Sequence, residues 1–224
     1  MRPVAGLALA LLALAGGTAL AADRRTPLDP NLPPWNAVAK VQTNIGEQCT
    51  GVLIAPATVL TAAHCIYNPR TRAFLQPVSL HVLFGYQRGA YRWHRLVTRV
   101  AIGRGFDIAK GPQPADWVRL DLAEPVPVTP LPLAHEIAVP GLAVALAGYN
   151  QDREQMLLGD TACQVTRTAA LPGSADFIFH DCAGTHGTSG APLLTRQAGG
   201  WAVIGINIAA GRQTNLALDA RFEN

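Results

Sequence analysis

The sequence predicts an all-β fold, and three observations carry that expectation. Short β-prone runs recur along the chain, each bounded by glycine, proline or small polar residues that favour turns. No long segment keeps a 3.6-residue apolar period, except towards the C-terminus. Apolar residues make up 49% of the chain and charged residues 15%, a balance that suits a large buried core and argues against disorder. A chain of 224 residues accommodates one all-β unit or two small ones. The formal net charge of +3 is small and the arginines are scattered, so nucleic-acid binding has no support. No fixed-period repeat is present.

Residues 1–22 read as an export signal outside the fold. Met1-Arg2 gives a positive start, residues 4–15 are almost pure Ala, Leu and Gly, and Ala19-Leu20-Ala21 supplies a small-x-small cleavage pattern. The apolar run is just long enough to span a membrane, but Gly16-Gly17 and the small residues at its end favour cleavage. The expected product is secreted or periplasmic, with no stable membrane insertion after cleavage. Four cysteines in an exported chain fit two disulfides with three possible connectivities. The simplest is Cys49–Cys65 with Cys163–Cys182, each closing a short loop. Neither pair has the close-spaced Cys or His partners of a zinc site, so no metal is expected.

Residues 23–34 are polar and proline-rich and read as an extended arm without its own core. The pattern changes at Trp35. Residues 38–43, 49–54 and 59–61 have strand character, separated by turns at Gly46-Glu47 and Ala55-Pro56-Ala57. Thr61-Ala62-Ala63-His64-Cys65 follows directly. A histidine just past a buried strand, beside a cysteine that can be tied back, has the rigid mount a general base requires.

In residues 78–85, Val78, Leu80, Val82 and Phe84 alternate onto one face, and residues 91–102 continue in strand fashion. His81, His94, His135 and His180 read as ordinary surface or edge histidines, whereas His186 lies close enough to Ser189 to line a pocket. Asp116 stands at the entrance of a strand with Val118, Leu120 and Leu122 on one face. Asp107 is a rival acid, but Lys110-Gly111-Pro112 stops any strand there. Residues 124–130 are too proline-rich for a central strand or a helix and link two halves of similar size. Beyond them lie strands at 142–149, 162–167 and 176–182, then a hairpin of 192–194 and 201–208 around Gly199-Gly200.

Gly187-Thr188-Ser189-Gly190-Ala191-Pro192-Leu193 is a glycine-flanked serine leading into an apolar strand. A serine hydroxyl becomes a nucleophile when a base takes its proton and donors accept the charge that develops. His64, Asp116 and Ser189 occur in that order, each beside a strand end. An α/β-hydrolase reading fails because Ala191 and Pro192 follow the serine and the order is reversed.

The order and the two local motifs, Thr61-Ala62-Ala63-His64-Cys65 and Gly187-Thr188-Ser189-Gly190-Ala191-Pro192-Leu193, resemble trypsin-like serine proteases of the chymotrypsin fold, especially bacterial secreted members. The Asp116 motif is the least specific of the three. Cys49–Cys65 is similar to the family's disulfide beside the catalytic histidine. The resemblance implies two six-stranded antiparallel β-barrels with the active site in the cleft between them. It places barrel one at about 35–123, a linker at 124–132 and barrel two at about 133–224. Ser189 is implied as nucleophile, His64 as base, Asp116 as its orienting acid, and the N–H groups of Gly187 and Ser189 as the oxyanion hole. Ala183, Thr185 and Asn207 fall at pocket positions. A polypeptide substrate, a monomer and no cofactor are implied; the rival is a catalytically silent protease-like binding protein.

Two departures bear on activation and specificity. Thr188 stands where activatable members carry an aspartate that receives a new N-terminal amine. The usual Ile-Val-Gly-Gly start is replaced by Trp35-Asn36-Ala37-Val38. Ala183 replaces the acid of a trypsin-like pocket, and Asn207 replaces a histidine found in some glutamate-selective relatives.

Overall fold

The computed structural model describes residues 23–169, 177–211 and 214–223; the expected export signal at 1–22 lies outside them. In chain order the strands are β1 (Thr26–Pro27), β2 (Val38–Thr43), β3 (Gln48–Ala55), β4 (Thr58–Thr61), β5 (Tyr67–Asn68), β6 (Ala73–Phe74), β7 (Leu80–Phe84), β8 (Trp93–Ile102) and β9 (Val118–Leu122). They continue with β10 (Ala143–Tyr149), β11 (Leu157–Ala169), β12 (Phe177–His180), β13 (Pro192–Gln197), β14 (Gly200–Ala209) and β15 (Asn215–Asp219).

Two closed six-stranded antiparallel barrels result. The first runs β2-β3-β4-β9-β8-β7 and closes through β2–β7. The second runs β11-β10-β13-β14-β15-β12 and closes through β11–β12. Closure removes the free edges that an open sheet would expose to other chains. The interior of the first barrel is filled by Val52, Leu60, Leu80, Val82, Phe84, Val118 and Leu120, all fully buried. Each large side chain of this kind contributes roughly 1.5–3 kcal/mol on burial. Val144, Leu146, Val165, Ile178, Leu193 and Ile204 do the same for the second.

The strand pattern read from the sequence survives with local changes. β7 begins at Leu80 rather than Val78, because Pro77–Ser79 forms a 3-10 turn that leaves Val78 68% exposed. Proline at the first position of that turn already has its φ set and needs no donor. The helical hint at the C-terminus amounts to the 3-10 turn Ala220–Glu223. Residues 23–34 are bound to the second barrel from outside: β1 pairs with β11 at Thr26↔Gly159 and Pro27↔Leu158. His180, read as a surface or edge histidine, is fully buried on β12. Its alternation phase on a strand joined on both sides, by β11 and β15, turns it inward. The proline-rich stretch 124–132 touches both barrels, with Leu131 N–H donating to Leu53 O and Pro132 O accepting from Val203 N–H. Among the described residues no helix is long and apolar enough to cross a membrane.

Both disulfides form as Cys49–Cys65 and Cys163–Cys182. The first ties β3 to the turn that carries His64, closing a sequence separation of 16 residues. Replacing both Cys49 and Cys65 by alanine is expected to cost about 3 kcal/mol in the chain-entropy picture. Urea unfolding of oxidised wild type and the double variant measures it, and the Cys163–Cys182 loop supplies an internal comparison.

Candidate active site

The site begins with the 3-10 turn Ala63–Ile66, which follows β4 and holds His64 between the buried Ala63 and the disulfide-bonded Cys65. Asp116, just before β9, is buried and grips this turn twice: its Oδ1 accepts the His64 backbone N–H at 2.9 Å and its Oδ2 accepts Nδ1–H at 2.7 Å. β4 and β9 pair, with Thr61 opposite Val118, so two strand ends deliver the histidine and the acid to one place. With Nδ1 as donor, the neutral ring keeps Nε2 as an acceptor. Asp107, the rival acid, caps its own turn by accepting from Ala109 N–H.

Ser189 comes from the second barrel, in the turn leading into β13. Two glycines there are conformationally required. Gly187 has φ +91°, and a Cβ would run into Tyr149 O; Gly190 has φ +75°, and a Cβ would strike Thr61 Oγ1 and Thr50 O. Ser189 and His64 line one open cleft of about 330 Å³, with Asp116 behind and Phe106, Ile108 and Ile208 among its apolar walls. Among the described residues the Gly187 and Ser189 N–H groups have no acceptor. The His186 carbonyl accepts from Gln151 N–H at 2.6 Å. In a trans peptide the C=O and the next N–H point opposite ways, so this bond turns the Gly187 N–H away from Gln151.

Thr50 on β3 of the first barrel holds this loop. Its N–H donates to Ser189 O at 2.9 Å and its hydroxyl to Gly187 O at 2.9 Å, while the same hydroxyl accepts from Tyr149 N–H at 2.9 Å. Nothing local in the sequence marks Thr50, because its partners lie 99 to 139 positions away.

The expected pocket residues divide. Thr185 and Asn207 line the cleft, as does His186; Ala183 does not, and its N–H donates to Asp160 Oδ2 at 2.8 Å. Asn207 is buried with its amide engaged: Oδ1 faces His180 Nε2 at 3.1 Å, and Nδ2 donates to Thr188 Oγ1 at 3.2 Å. Thr188, also buried, donates its hydroxyl to Thr185 O at 2.6 Å. The amide orientation makes His180 Nε2 the protonated nitrogen, leaving Nδ1 without a partner among the described residues. Burial pushes the His180 imidazole down to about 4, against smaller upward pulls from Asn207, Asp181 and Asp160.

The cluster Cys49, His64 and Cys65 brings potential ligand atoms together, but its sulfurs are bonded to each other and offer no thiolate.

Two predictions follow from this geometry. Thr50→Val keeps the backbone donor but leaves the half-buried Gly187 O and the buried Tyr149 N–H unsatisfied, an expected loss of about 1–3 kcal/mol, measurable as a lower urea midpoint. His180 binds a proton near 6.5 when unfolded and near 4 when folded, so the unfolded state carries the extra proton between these values. Stability is fully present above about 6.5 and falls as pH drops towards 4, by roughly 3 kcal/mol in total. His180→Gln, which keeps an N–H for Asn207 and does not titrate, should flatten that slope in unfolding curves collected across the window.

A family model described as the trypsin-like peptidase domain matches residues 49–206. The chain is 27% identical over 135 residues to a glutamyl endopeptidase of Bacillus licheniformis, an alignment covering 58% of this chain and 41% of that protein. The solved structure of a Glu endopeptidase in complex with MPD superposes with a TM-score of 0.75 at 21% identity, covering 90% of this chain and 93% of that one.

Proposed function

Since the chain belongs to the trypsin-like peptidase family, we propose that it is an exported serine endopeptidase that cleaves polypeptides through an acyl-enzyme at Ser189. The observation that carries this reading is the convergence of His64, braced by Asp116, and Ser189, from separate barrels, on one open cleft. Export is supported by the leader-like residues 1–22 and by two disulfides, which persist in oxidising compartments. One chain supplies every group, which fits action as a monomer.

In this mechanism Ser189 Oγ attacks the scissile carbonyl carbon while its proton passes to His64 Nε2. The carbonyl π pair moves onto oxygen, and the Gly187 and Ser189 N–H groups receive the oxyanion. Asp116 fixes the ring through Nδ1–H and stabilises the imidazolium. Collapse expels the amine, which takes the proton from His64. Water then repeats the sequence on the acyl-enzyme, giving up a proton to His64 and releasing the acid with Ser189 restored.

Cleavage after lysine or arginine is not expected, because Asp116, the one carboxylate among the described residues that line the cleft, is engaged by His64. Glutamyl specificity does not carry over directly, since Asn207 stands where some glutamate-selective relatives carry a histidine, and its amide is engaged by His180 and Thr188.

A peptide-library digest tests the proposal. Ser189→Ala should abolish cleavage and labelling by a serine-directed phosphonate, and Asp116→Asn should lower kcat on the order of 10⁴-fold. Cleavage by Ser189→Ala equal to wild type would remove Ser189 as nucleophile, and no cleavage by either protein would favour a silent binding protein.

A further inference from the structure

The arm at residues 23–34 is anchored by two consecutive arginines. Arg24 Nη2 pairs with the buried Asp160 at 2.9 Å and donates to Asp181 O. Arg25 is more deeply set, its side chain only 8% exposed, and every one of its N–H groups has an acceptor. Nη1 donates to Asn150 Oδ1 and Asp152 Oδ1, both at 2.8 Å; Nη2 donates to Asp152 Oδ2 at 2.7 Å and Asp23 Oδ2 at 2.9 Å; Nε donates to Asp23 Oδ1 at 2.9 Å. The planar guanidinium thus makes paired bonds to two carboxylates, a geometry that lysine cannot reproduce. Its hydrogen bonds, reinforced by its charge, hold Asp23 down to about 2 and lower Asp152, so both partners are anions at neutral pH.

These contacts end on the turn that carries Gln151. Asn150 and Asp152 flank it, and both also hold the loop opposite: Asn150 Oδ1 accepts Thr185 N–H at 3.1 Å and Asp152 Oδ1 accepts the Thr185 hydroxyl at 3.0 Å. Gln151 N–H donates to His186 O, the bond that orients the His186–Gly187 peptide. Thr185 O in turn accepts both the N–H and the hydroxyl of Thr188, next to Ser189.

We propose that Arg25 is a positioning residue of the active site: it clamps the 150–152 turn and thereby holds the His186–Gly187 peptide with its N–H available to the oxyanion. The arm is then an activating strap. None of residues 23–34 lines the cleft, so the arm does not block substrate. A cation delivered from outside the barrel meets the 150–152 turn, while Thr188 is satisfied by Thr185 and Asn207 without a charge. The inference rests on the serine endopeptidase reading for its catalytic consequence, and on geometry alone for its effect on the loop.

The test uses the full mature chain with Arg25→Ala, and Arg99→Ala as control, which removes an exposed arginine–aspartate pair on the first barrel. A clamp on a group that matters only as charge develops should change kcat more than KM. The expected loss is about 10- to 100-fold in kcat with KM within about 3-fold, and guanidinium ion at tens of millimolar should restore part of it. Hydrogen exchange supplies the readout that does not require activity: the hydrogen-bonded amides of Gln151, Thr185 and Thr188 should exchange about 10-fold faster or more in Arg25→Ala, with the first barrel unchanged. Unchanged exchange in this loop would overturn the proposal, whatever the activity. A wild type that hydrolyses peptides while Arg25→Ala matches its kcat would overturn it too, leaving the endopeptidase reading intact. A wild type inert to peptide and phosphonate would sink the endopeptidase reading, and the exchange data would still decide the clamp.

Discussion

The site depends on holding two pieces of different barrels in one register, and Thr50 is the residue that does so. From β3 it bonds Ser189 O and Gly187 O in the second barrel, and its own carbonyl accepts the hydroxyl of Thr61 at the end of β4, three residues before His64. One buried side chain therefore ties the serine loop to the strand that delivers the histidine. Thr50 itself lies out of water, where an unmade partner costs more than a made one contributes, so the two barrels have one well-defined relative position at this point.

The turn at 150–155 is held from two directions. The arm reaches it through Arg25, and the first barrel reaches it through Lys40, whose fully buried side chain donates to Glu154 O at 3.2 Å and lies over the Tyr86 ring. Desolvation lowers the Lys40 ammonium below its ordinary value, so its position is costly unless these contacts are kept. The turn itself is exposed and has little apolar anchorage. Fixed charges from its neighbours supply the rigidity that packing does not, and the His186 carbonyl then has a fixed donor in Gln151.

Below the serine, His180, Asn207 and Thr188 form a file of buried polar groups. A neutral imidazole suits this place because the amide it meets can accept one hydrogen bond there and has no charge to pair with a cation. The same file explains how Thr188 can stand beside the serine: its hydroxyl is donor to Thr185 O and acceptor from Asn207. A carboxylate there would meet Thr185 O, a second acceptor.

The sequence by itself determined the β architecture, the disulfide partners that are nearest in the chain, and the candidates His64, Asp116 and Ser189. Each is legible because its signal is local: strand alternation, glycine where the backbone needs φ > 0, a cysteine beside a histidine, an acid at a strand entrance. It also placed Thr185, His186 and Asn207 near the cleft. The tertiary structure alone decided the rest. Thr50, Asn150 and Gln151 have no motif, since each works through a partner far away in the chain. His180 looked like an edge histidine until barrel closure put partners on both sides of its strand. The arm reads as an extended segment without its own core, and proline-rich polar sequence says nothing about where two arginines will find acids. Local propensity is written in neighbouring residues; the meeting of Arg25 with Asp152 is written only in the docking of β1 on β11 that brings them together.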